Sequence, residues 1–333
     1  MRKILNAPER FVDEFVEGVL LAHAELLKCP GDDIRVLVRA DAPAPGRVGI
    51  VTGGGSGHLP LFMGYVGKGL CSGVAIGNVF SSPSADQIFQ ATKAVDGGAG
   101  VLYLYGNYGG DVFNFDLAVD LADLEGIETR TVLGRDDVAS QPKERKEDRR
   151  GVAGIFFAFK AAGAAADRGD SLDEVEAIAR DFVAHTATMG VGLSPTILPT
   201  TGMPSFELAE GEMEIGIGIH GEPGSRRGPL ESANSLAEQL VQALVEDLGL
   251  RGGSRVAVLV NGMGATPLEE LYVLYRRVHE ILAVLDIRIL RQYVGEYATS
   301  LEMAGASISL LELDDSRLEL LDAPALSPFF QTR

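Results

Sequence analysis

Three stretches of the sequence place polar side chains among glycines and carry its candidate chemistry. In residues 214–224, three isoleucines alternate with Gly216 and Gly218 before His220, and a Gly-Glu-Pro-Gly turn follows. This alternation has the period of a β-strand, with isoleucine side chains on one face and no side chains on the other. A histidine at the end of such a strand, facing a glycine-cleared space, is well placed to contact a small ligand. A purely structural histidine is the alternative interpretation.

The second stretch follows a β-branched run at 48–52 and reads Gly-Gly-Gly-Ser-Gly-His over residues 53–58. A strand that ends in a glycine-rich turn is where open α/β sheets bind ligands. His58 stands where a dinucleotide fingerprint and a Gly-x-Ser-x-Gly nucleophile elbow both need glycine, and the chain has no Gly-Lys-Ser/Thr phosphate loop. We therefore expect a cradle for a ligand other than a nucleotide, with Ser56 as a contact and not a nucleophile. Its members are Gly54, Gly55, Ser56 and Gly57.

The third stretch follows the apolar run 101–105 and reads Gly-Asn-Tyr-Gly-Gly-Asp-Val-Phe-Asn-Phe over residues 106–115. Asp111 lies behind two glycines at the predicted start of a helix, where the helix dipole favours its ionised form. A carboxylate at this position can accept a proton in catalysis. Aspartate is also a common N-cap, and one carboxylate can serve both purposes.

The elements that position these residues alternate between strand and helix, which predicts two α/β domains with mainly parallel or mixed sheets. We predict strands over 36–39, 48–51, 73–80, 101–105, 213–219 and 255–260. We predict helices over 11–27, 86–95, 152–167, 236–247 and 268–285. Proline and glycine residues in 190–202 indicate a boundary between an N-terminal domain, 1–189, and a C-terminal domain, 190–333. The first contains the glycine-rich loop and Asp111, and the second contains His220 beside the seam between the domains.

Charge and composition exclude several function classes. The 333 residues carry a net charge of −18, which argues against nucleic acid or an anionic membrane as a partner. The two cysteines, Cys29 and Cys71, have no spacing typical of a disulfide framework or a zinc site, and we predict no metal site. The N-terminal residues lack an apolar signal core, and no run of about 18 apolar residues occurs. We therefore expect a cytoplasmic protein.

Together these stretches resemble the substrate-binding (K) subunit of the dihydroxyacetone kinases. The resemblance runs over nearly the whole chain. Besides the three stretches above, it includes Lys-Ile-Leu-Asn at 3–6, Val-Phe-Ser-Ser-Pro at 79–83, Arg-Arg-Gly at 149–151 and Thr-Ser-Leu-Glu-Met-Ala-Gly at 299–305. In this order the motifs are specific to that family, and the resemblance implies its two-domain α/β fold and a homodimer.

The resemblance also implies roles for the candidate residues. His220 would attack the carbonyl carbon of a short-chain ketose and hold it as a covalent hemiaminal, which glycerol, having no carbonyl, cannot form. Asp111 would accept the proton of the terminal hydroxyl as it attacks phosphorus, and His58 would hydrogen-bond the substrate or the developing oxyanion. The nucleotide, Mg-ADP or Mg-ATP, would belong to an L-type nucleotide-binding subunit. This chain would then bind no cofactor itself and would be inactive alone.

Two residues depart from the family pattern. Leu59 stands where the family usually has glutamate, and Gly106 stands where many members have lysine. Loss of a lysine removes a cation and frees volume, so we expect a ketose of four or five carbons, such as erythrulose or apulose, to be favoured over dihydroxyacetone. The alternative function is a ketose-sensing regulator that phosphorylates nothing. Asp111 favours the kinase, because a sensor needs His220 but no general base.

Overall fold

Two six-stranded sheets organise the chain, of which the computed structural model describes residues 3–332. The first sheet has the strand order β1-β2-β4-β3-β5-β6. Strands β3 to β6 pair in parallel, and β1 and β2 form an antiparallel edge. Its strands are β1 (Leu27–Lys28), β2 (Val36–Arg39), β3 (Gly49–Ser56), β4 (Gly73–Val79), β5 (Val101–Gly106) and β6 (Thr129–Gly134).

The second sheet has the order β11-β10-β12-β7-β8-β9 and is mostly antiparallel, with one parallel pair, β10 and β11. Its strands are β7 (Thr186–Ser194), β8 (Glu212–Ile215), β9 (Arg226–Pro229), β10 (Arg255–Gly262), β11 (Arg288–Gly295) and β12 (Ala304–Glu312). A short hairpin of β13 (Ala325–Leu326) and β14 (Gln331–Thr332) lies near the C-terminus. The prediction of two α/β units with mixed sheets is confirmed.

Helices cover these sheets, and their caps follow from local sequence. They are α1 (Phe11–Ala22), α2 (Ala85–Val95), α3 (Gly109–Leu124), α4 (Ile155–Arg168), α5 (Leu172–Ala184), α6 (Ala233–Leu248), α7 (Leu268–Val284) and α8 (Asp315–Asp322). Ser84 with Gln87 and Ser171 with Glu174 form capping boxes that begin α2 and α5. None of the helices within residues 3–332 combines the length and apolarity that a membrane crossing requires.

Helix α4 lies at the centre of the molecule and joins the cores of both sheets. Its residues from Ile155 to Ala166 are all buried. They share one hydrophobic cluster with Leu102 of β5 and Leu259 of β10. The helix is rich in alanine because neighbours approach it closely: a Cβ on Gly163 would lie 2.2 Å from the backbone nitrogen of Leu70.

Several predicted boundaries differ from the structure. Strand β3 continues to Ser56, so residues 53–56 of the predicted glycine-rich turn belong to the strand, and only Gly57 and His58 follow it. Helix α1 ends at Ala22, and residues 27 and 28 form an edge strand instead of a helical turn. Strand β8 ends at Ile215, not at Ile219, because Gly216 turns the chain with a φ of 78°. The boundary at 189/190 falls inside β7, which pairs with β12 of the second sheet. We propose that the division between the two units lies before Thr186.

Candidate active site

The turn after β8 presents His220 with one ring nitrogen occupied. Nδ1 of His220 lies 2.8 Å from Oε1 of Glu222, and the backbone N–H of His220 donates to Oε2 at 3.0 Å. An ionised carboxylate only accepts hydrogen bonds, so this network places a proton on Nδ1, and in the neutral ring the lone pair is then on Nε2. Burial would raise the pKa of Glu222, but the hydrogen bond from His220, together with the electrostatic interactions with His220 and Arg150, outweighs it and holds that pKa at about 2.

His58 follows β3 and is buried beside His220. Its Nδ1 lies 2.9 Å from the carbonyl oxygen of Thr299 and therefore carries the proton, whereas its Nε2 has no partner among the described residues. The ring stacks on Phe80 with centroids 5.0 Å apart and meets His220 edge-on at 4.7 Å. Burial, with a smaller contribution from His220, lowers the pKa of His58 to about 3. His58 is thus neutral and offers an acceptor, which suits a substrate hydroxyl and not an oxyanion.

Asp111 is the third residue of α3, directly after β5, and not its N-cap, a position that Tyr108 occupies. Its side chain is buried, and Oδ1 finds no hydrogen-bond partner within residues 3–332. Burial raises the pKa of Asp111 to about 6, although the Ser82 hydroxyl and the electrostatic interaction with His220 act in the opposite direction. The carboxylate is therefore ionised near neutral pH and retains a free oxygen that can accept a proton.

The three predicted reactive side chains come together at the seam between the sheets. β3 and β5 are parallel neighbours, so the residues that follow them, His58 and Asp111, lie at the same edge of the first sheet. His220 reaches this edge from the second sheet. Within residues 3–332, no group of three or more His, Cys, Asp or Glu side chains is arranged to hold a metal ion.

The glycine-rich segment packs against aromatic side chains. A Cβ on Gly54 would lie 2.3 Å from the Phe62 ring, and one on Gly57 would lie 2.7 Å from the Phe80 ring. At Gly55 a Cβ would lie 2.9 Å from backbone atoms of Phe80. These glycines are therefore required by close packing, and a cradle for a ligand would have to use their backbone amides.

Ser56 is held inside the first sheet. It is buried, and its hydroxyl donates to the carbonyl oxygen of Gly77 at 2.7 Å. Because its proton is used in this hydrogen bond, the hydroxyl serves the packing of β3 against β4, and its role as a ligand contact stays a prediction.

The two positions that depart from the family pattern have different surroundings. Gly106, the last residue of β5, is buried, and a Cβ there would lie 3.1 Å from the ring of Tyr108. That ring meets His220 edge-on at 4.8 Å. Leu59 lies on the Thr299 side of His58, where it lines a groove next to α1. Position 106 is therefore one side chain away from His220, whereas nothing places the Leu59 side chain against it.

Several residues around the histidines had no role in the sequence interpretation. Phe80, Tyr108 and Thr299 contact His58 or His220 directly. Each belongs to a motif that carried the family resemblance, so the motifs marked the correct segments. Which side chain of a motif faces the site depends on tertiary packing, and this could not be derived from spacing.

Comparison with known proteins gives consistent results. The family model of the Dak1 domain matches residues 17–329. The dihydroxyacetone-binding subunit of PTS-dependent dihydroxyacetone kinase 2 from Listeria innocua is 46% identical over 331 residues, which is 99% of each chain. L-erythrulose 1-kinase of Mycolicibacterium smegmatis is 41% identical, and the match covers 99% of this chain and 58% of that protein. A solved structure, the dihydroxyacetone kinase operon co-activator Dha-DhaQ, is 33% identical with a TM-score of 0.87, covering 94% of this chain and 96% of that chain.

Proposed function

Because the chain belongs to the Dak1 domain family, that of the dihydroxyacetone kinase substrate-binding subunits, we propose that it presents a short ketose for phosphorylation. The observation that carries this proposal is a pair of buried atoms without a partner among the described residues, Oδ1 of Asp111 and Nε2 of His58, the latter on a ring that contacts His220. Such groups are costly to bury unless a ligand uses them. Ketose phosphate formation by this chain with an L-type subunit and a phosphodonor tests the proposal.

His220 is the proposed site of covalent attachment. The Nε2 lone pair forms a bond to the carbonyl carbon, the π pair of the carbonyl moves onto oxygen, and that oxygen takes a proton from solvent. The ring is then a cation whose Nδ1 proton remains hydrogen-bonded to the Glu222 carboxylate, 2.8 Å away. A hydroxyl of the ketose donates a hydrogen bond to Nε2 of His58. A polyol has no carbonyl carbon and therefore forms no covalent bond with His220.

Asp111 is the proposed general base. As the terminal hydroxyl attacks phosphorus, its proton passes to Oδ1 of Asp111, and the phosphoryl group moves from the donor to the hydroxyl oxygen. Phosphoryl transfer also requires charge neutralisation at the phosphates. From the similarity to the dihydroxyacetone-binding subunits, we propose that Mg-ADP or Mg-ATP is held by an L-type partner subunit. The homodimer and the cytoplasmic location remain predictions.

A second candidate function is a ketose-sensing regulator, which the similarity to the operon co-activator favours. Such a protein would use the histidine pair and would have no need of a base. The partner-free, buried Oδ1 of Asp111 supports the kinase. Ketose binding without any phosphorylation, in the presence of an active L-type subunit, would favour the regulator.

The first prediction concerns pH. Because Asp111 must be ionised to accept a proton and its pKa is raised to about 6, turnover should rise with pH and level off above that value. The measurement is kcat at saturating ketose between about pH 5 and pH 8, with a cognate L-type subunit. The residual activity of Asp111→Asn should lack this rise. A flat profile in the unmodified protein would contradict the assignment.

The second prediction concerns substrate length at position 106. We propose that the glycine favours erythrulose or apulose over dihydroxyacetone, since lysine would add a cation and press on the Tyr108 ring, 3.1 Å from its Cβ. Gly106→Lys should shift the ratio of kcat/KM values toward dihydroxyacetone by about tenfold. Leu59→Glu should change the ratio little, because Leu59 lines a groove next to α1.

Gly228→Lys is the matched control, since a Cβ at Gly228 meets nothing within 4 Å. It should leave the ratio unchanged. If the unmodified protein prefers dihydroxyacetone, the proposed reading of substrate length at Gly106 is wrong, whereas the assignment of His220 and Asp111 is unaffected.

A further inference from the structure

A row of contacting polar side chains extends from the Nδ1 side of the His220 ring, beginning with Glu222. Beyond Glu222 lies Arg150, whose Nη1 is 3.8 Å from Oε2 of Glu222. The Nε and Nη2 atoms of the same guanidinium each lie 2.9 Å from Oδ2 of Asp137. The order is therefore imidazole, carboxylate, guanidinium, carboxylate, and each group contacts the next.

Arg150 is fixed to the first half of the molecule. Its carbonyl accepts from the backbone N–H of Asp137 at 3.0 Å, and its own N–H donates to the Ser140 hydroxyl at 3.1 Å. Asp137 follows β6, and its carboxylate is almost fully buried. Glu222, in contrast, lies in the turn after β8 of the second sheet. Arg150 thus connects the part of the chain that carries His58 and Asp111 to the turn that carries His220.

Gly218 leaves the space in which Arg150 and Glu222 approach each other. A Cβ on Gly218 would lie 2.1 Å from Oε2 of Glu222 and 2.6 Å from Nη1 of Arg150. Its φ is outside the left-handed region, so alanine is compatible with the backbone there. The glycine is needed for the contact between the two charged groups and not for the turn.

We propose that Arg150 is a positioning residue for the nucleophile: it holds the Glu222 carboxylate against Nδ1–H of His220, and so fixes the tautomer of the neutral ring and aims its Nε2 lone pair at the ketose. This inference rests on the proposed adduct at His220. Arginine suits the position because its fork can contact Asp137 through two nitrogens and still present the third to Glu222. Lysine is a single point charge and cannot make both contacts in this geometry.

The ion pair of Arg149 and Asp247 is a neighbouring example of an arginine with a structural role, and it can be compared with Arg150. Arg149 donates to both oxygens of Asp247 at 2.9 and 2.8 Å, and the pair is buried. Neither residue contacts the His220–Glu222 pair. Arg150 differs because its guanidinium faces the carboxylate that orients the histidine.

The test compares Arg150→Gln, Arg150→Lys and Gly218→Ala in the full chain, with Gly228→Ala and Arg145→Gln as matched controls. Ketose binding is followed by ¹³C NMR with carbonyl-labelled dihydroxyacetone and L-erythrulose, and the His220 tautomer is followed by ¹⁵N NMR of the ring. We expect Arg150→Gln and Gly218→Ala to weaken adduct formation by about tenfold or more, with Arg150→Lys intermediate and the controls unchanged. In the two weakened variants the ring should change from the Nδ1–H form to a mixture of tautomers, and kcat/KM should fall more than kcat.

Wild-type adduct affinity in folded Arg150→Gln and Gly218→Ala would overturn the inference. So would a loss of affinity that follows the loss of thermal stability while the tautomer stays as Nδ1–H, because that result indicates a structural role only. If Arg150→Gln does not fold, Arg150→Lys decides, since it keeps the charge but cannot contact Asp137 and Glu222 together, and wild-type adduct affinity in it would overturn the inference. If the unmodified protein forms no adduct, the proposed function itself is wrong. This result differs from those that would contradict only the role of Arg150.

Discussion

Asp111→Asn is expected to lower turnover by about 100-fold or more while leaving ketose binding nearly intact. Asparagine has nearly the same shape as aspartate but cannot take up a proton from the attacking hydroxyl. The measurement is kcat with a cognate L-type subunit, together with the ketose affinity of the isolated chain. Asp116→Asn, an exposed position on the next turn of α3, is the matched control and should change neither quantity. Wild-type turnover in Asp111→Asn would rule out the role as base.

The same variant should be more stable than the unmodified protein at neutral pH. Burial raises the folded pKa of Asp111 to about 6 from an ordinary value of 3.8, so the unfolded chain ionises first as pH rises. The ionised carboxylate therefore destabilises the fold increasingly from about pH 4 to pH 6, and fully above that range. After subtraction of a favourable helix-dipole contribution, asparagine should raise the free energy of unfolding by roughly 2 kcal/mol at pH 7.5 and by little near pH 4. A loss of stability in this variant at pH 7.5 would contradict the raised pKa of Asp111.

His220→Ala is expected to abolish the covalent adduct and to lower kcat/KM for ketoses by about 100-fold or more. The variant loses the only proposed means of separating a ketose from a polyol, so its preference for dihydroxyacetone over glycerol should disappear. Steady-state kinetics with both substrates measure this. His279→Ala, an exposed histidine on α7, is the control and should behave as the unmodified protein. Ketose bound equally well by His220→Ala would contradict the covalent assignment.

The stretch around His220 shows how far the sequence could predict structure. The alternation of isoleucine and glycine predicted a strand up to Ile219, but the strand ends at Ile215, at the start of the alternation. The glycine between the first two isoleucines turns the chain with a φ of 78°, which the period alone could not show. After Ile215 the isoleucine side chains are buried in the core without belonging to a strand. Ile215, Ile217 and Ile219 enter three different hydrophobic clusters and so anchor the turn that carries His220.

Strands β7 and β12 were not predicted, and their composition explains why. They pair along most of their length at the centre of the second sheet but are rich in glycine, serine and threonine. Small residues are needed there because Met263 lies over them: a Cβ on Gly190 would be 2.9 Å from its Cε, and one on Gly305 would be 3.0 Å from its Sδ. Such segments have the composition of loops, and only the tertiary contact identifies them as strands.

For the candidate site, the sequence could predict which segments lie near one another, and the roles of their side chains stay predictions. Glycine-rich stretches after apolar runs marked the segments of His58 and Asp111, because the ends of parallel strands meet at one edge of a sheet. The spacing of residues in the sequence could not predict which ring nitrogen of each histidine carries a proton. The acceptor character of His58 Nε2 depends on the carbonyl of Thr299, a residue 241 positions away in the chain. The link from Glu222 to Arg150 likewise joins segments that only the fold brings together.

The central claim, a covalent bond between His220 and a ketose, is tested most directly by ¹³C NMR of carbonyl-labelled dihydroxyacetone and L-erythrulose with the purified chain. We expect the carbonyl resonance of bound ketose to be replaced by that of a tetrahedral carbon, and ring-¹⁵N-labelled His220 to show coupling to this carbon. The signal should be absent in His220→Ala and present in His279→Ala. A bound ketose that keeps its carbonyl resonance, or a tetrahedral signal that persists in His220→Ala, would contradict this claim.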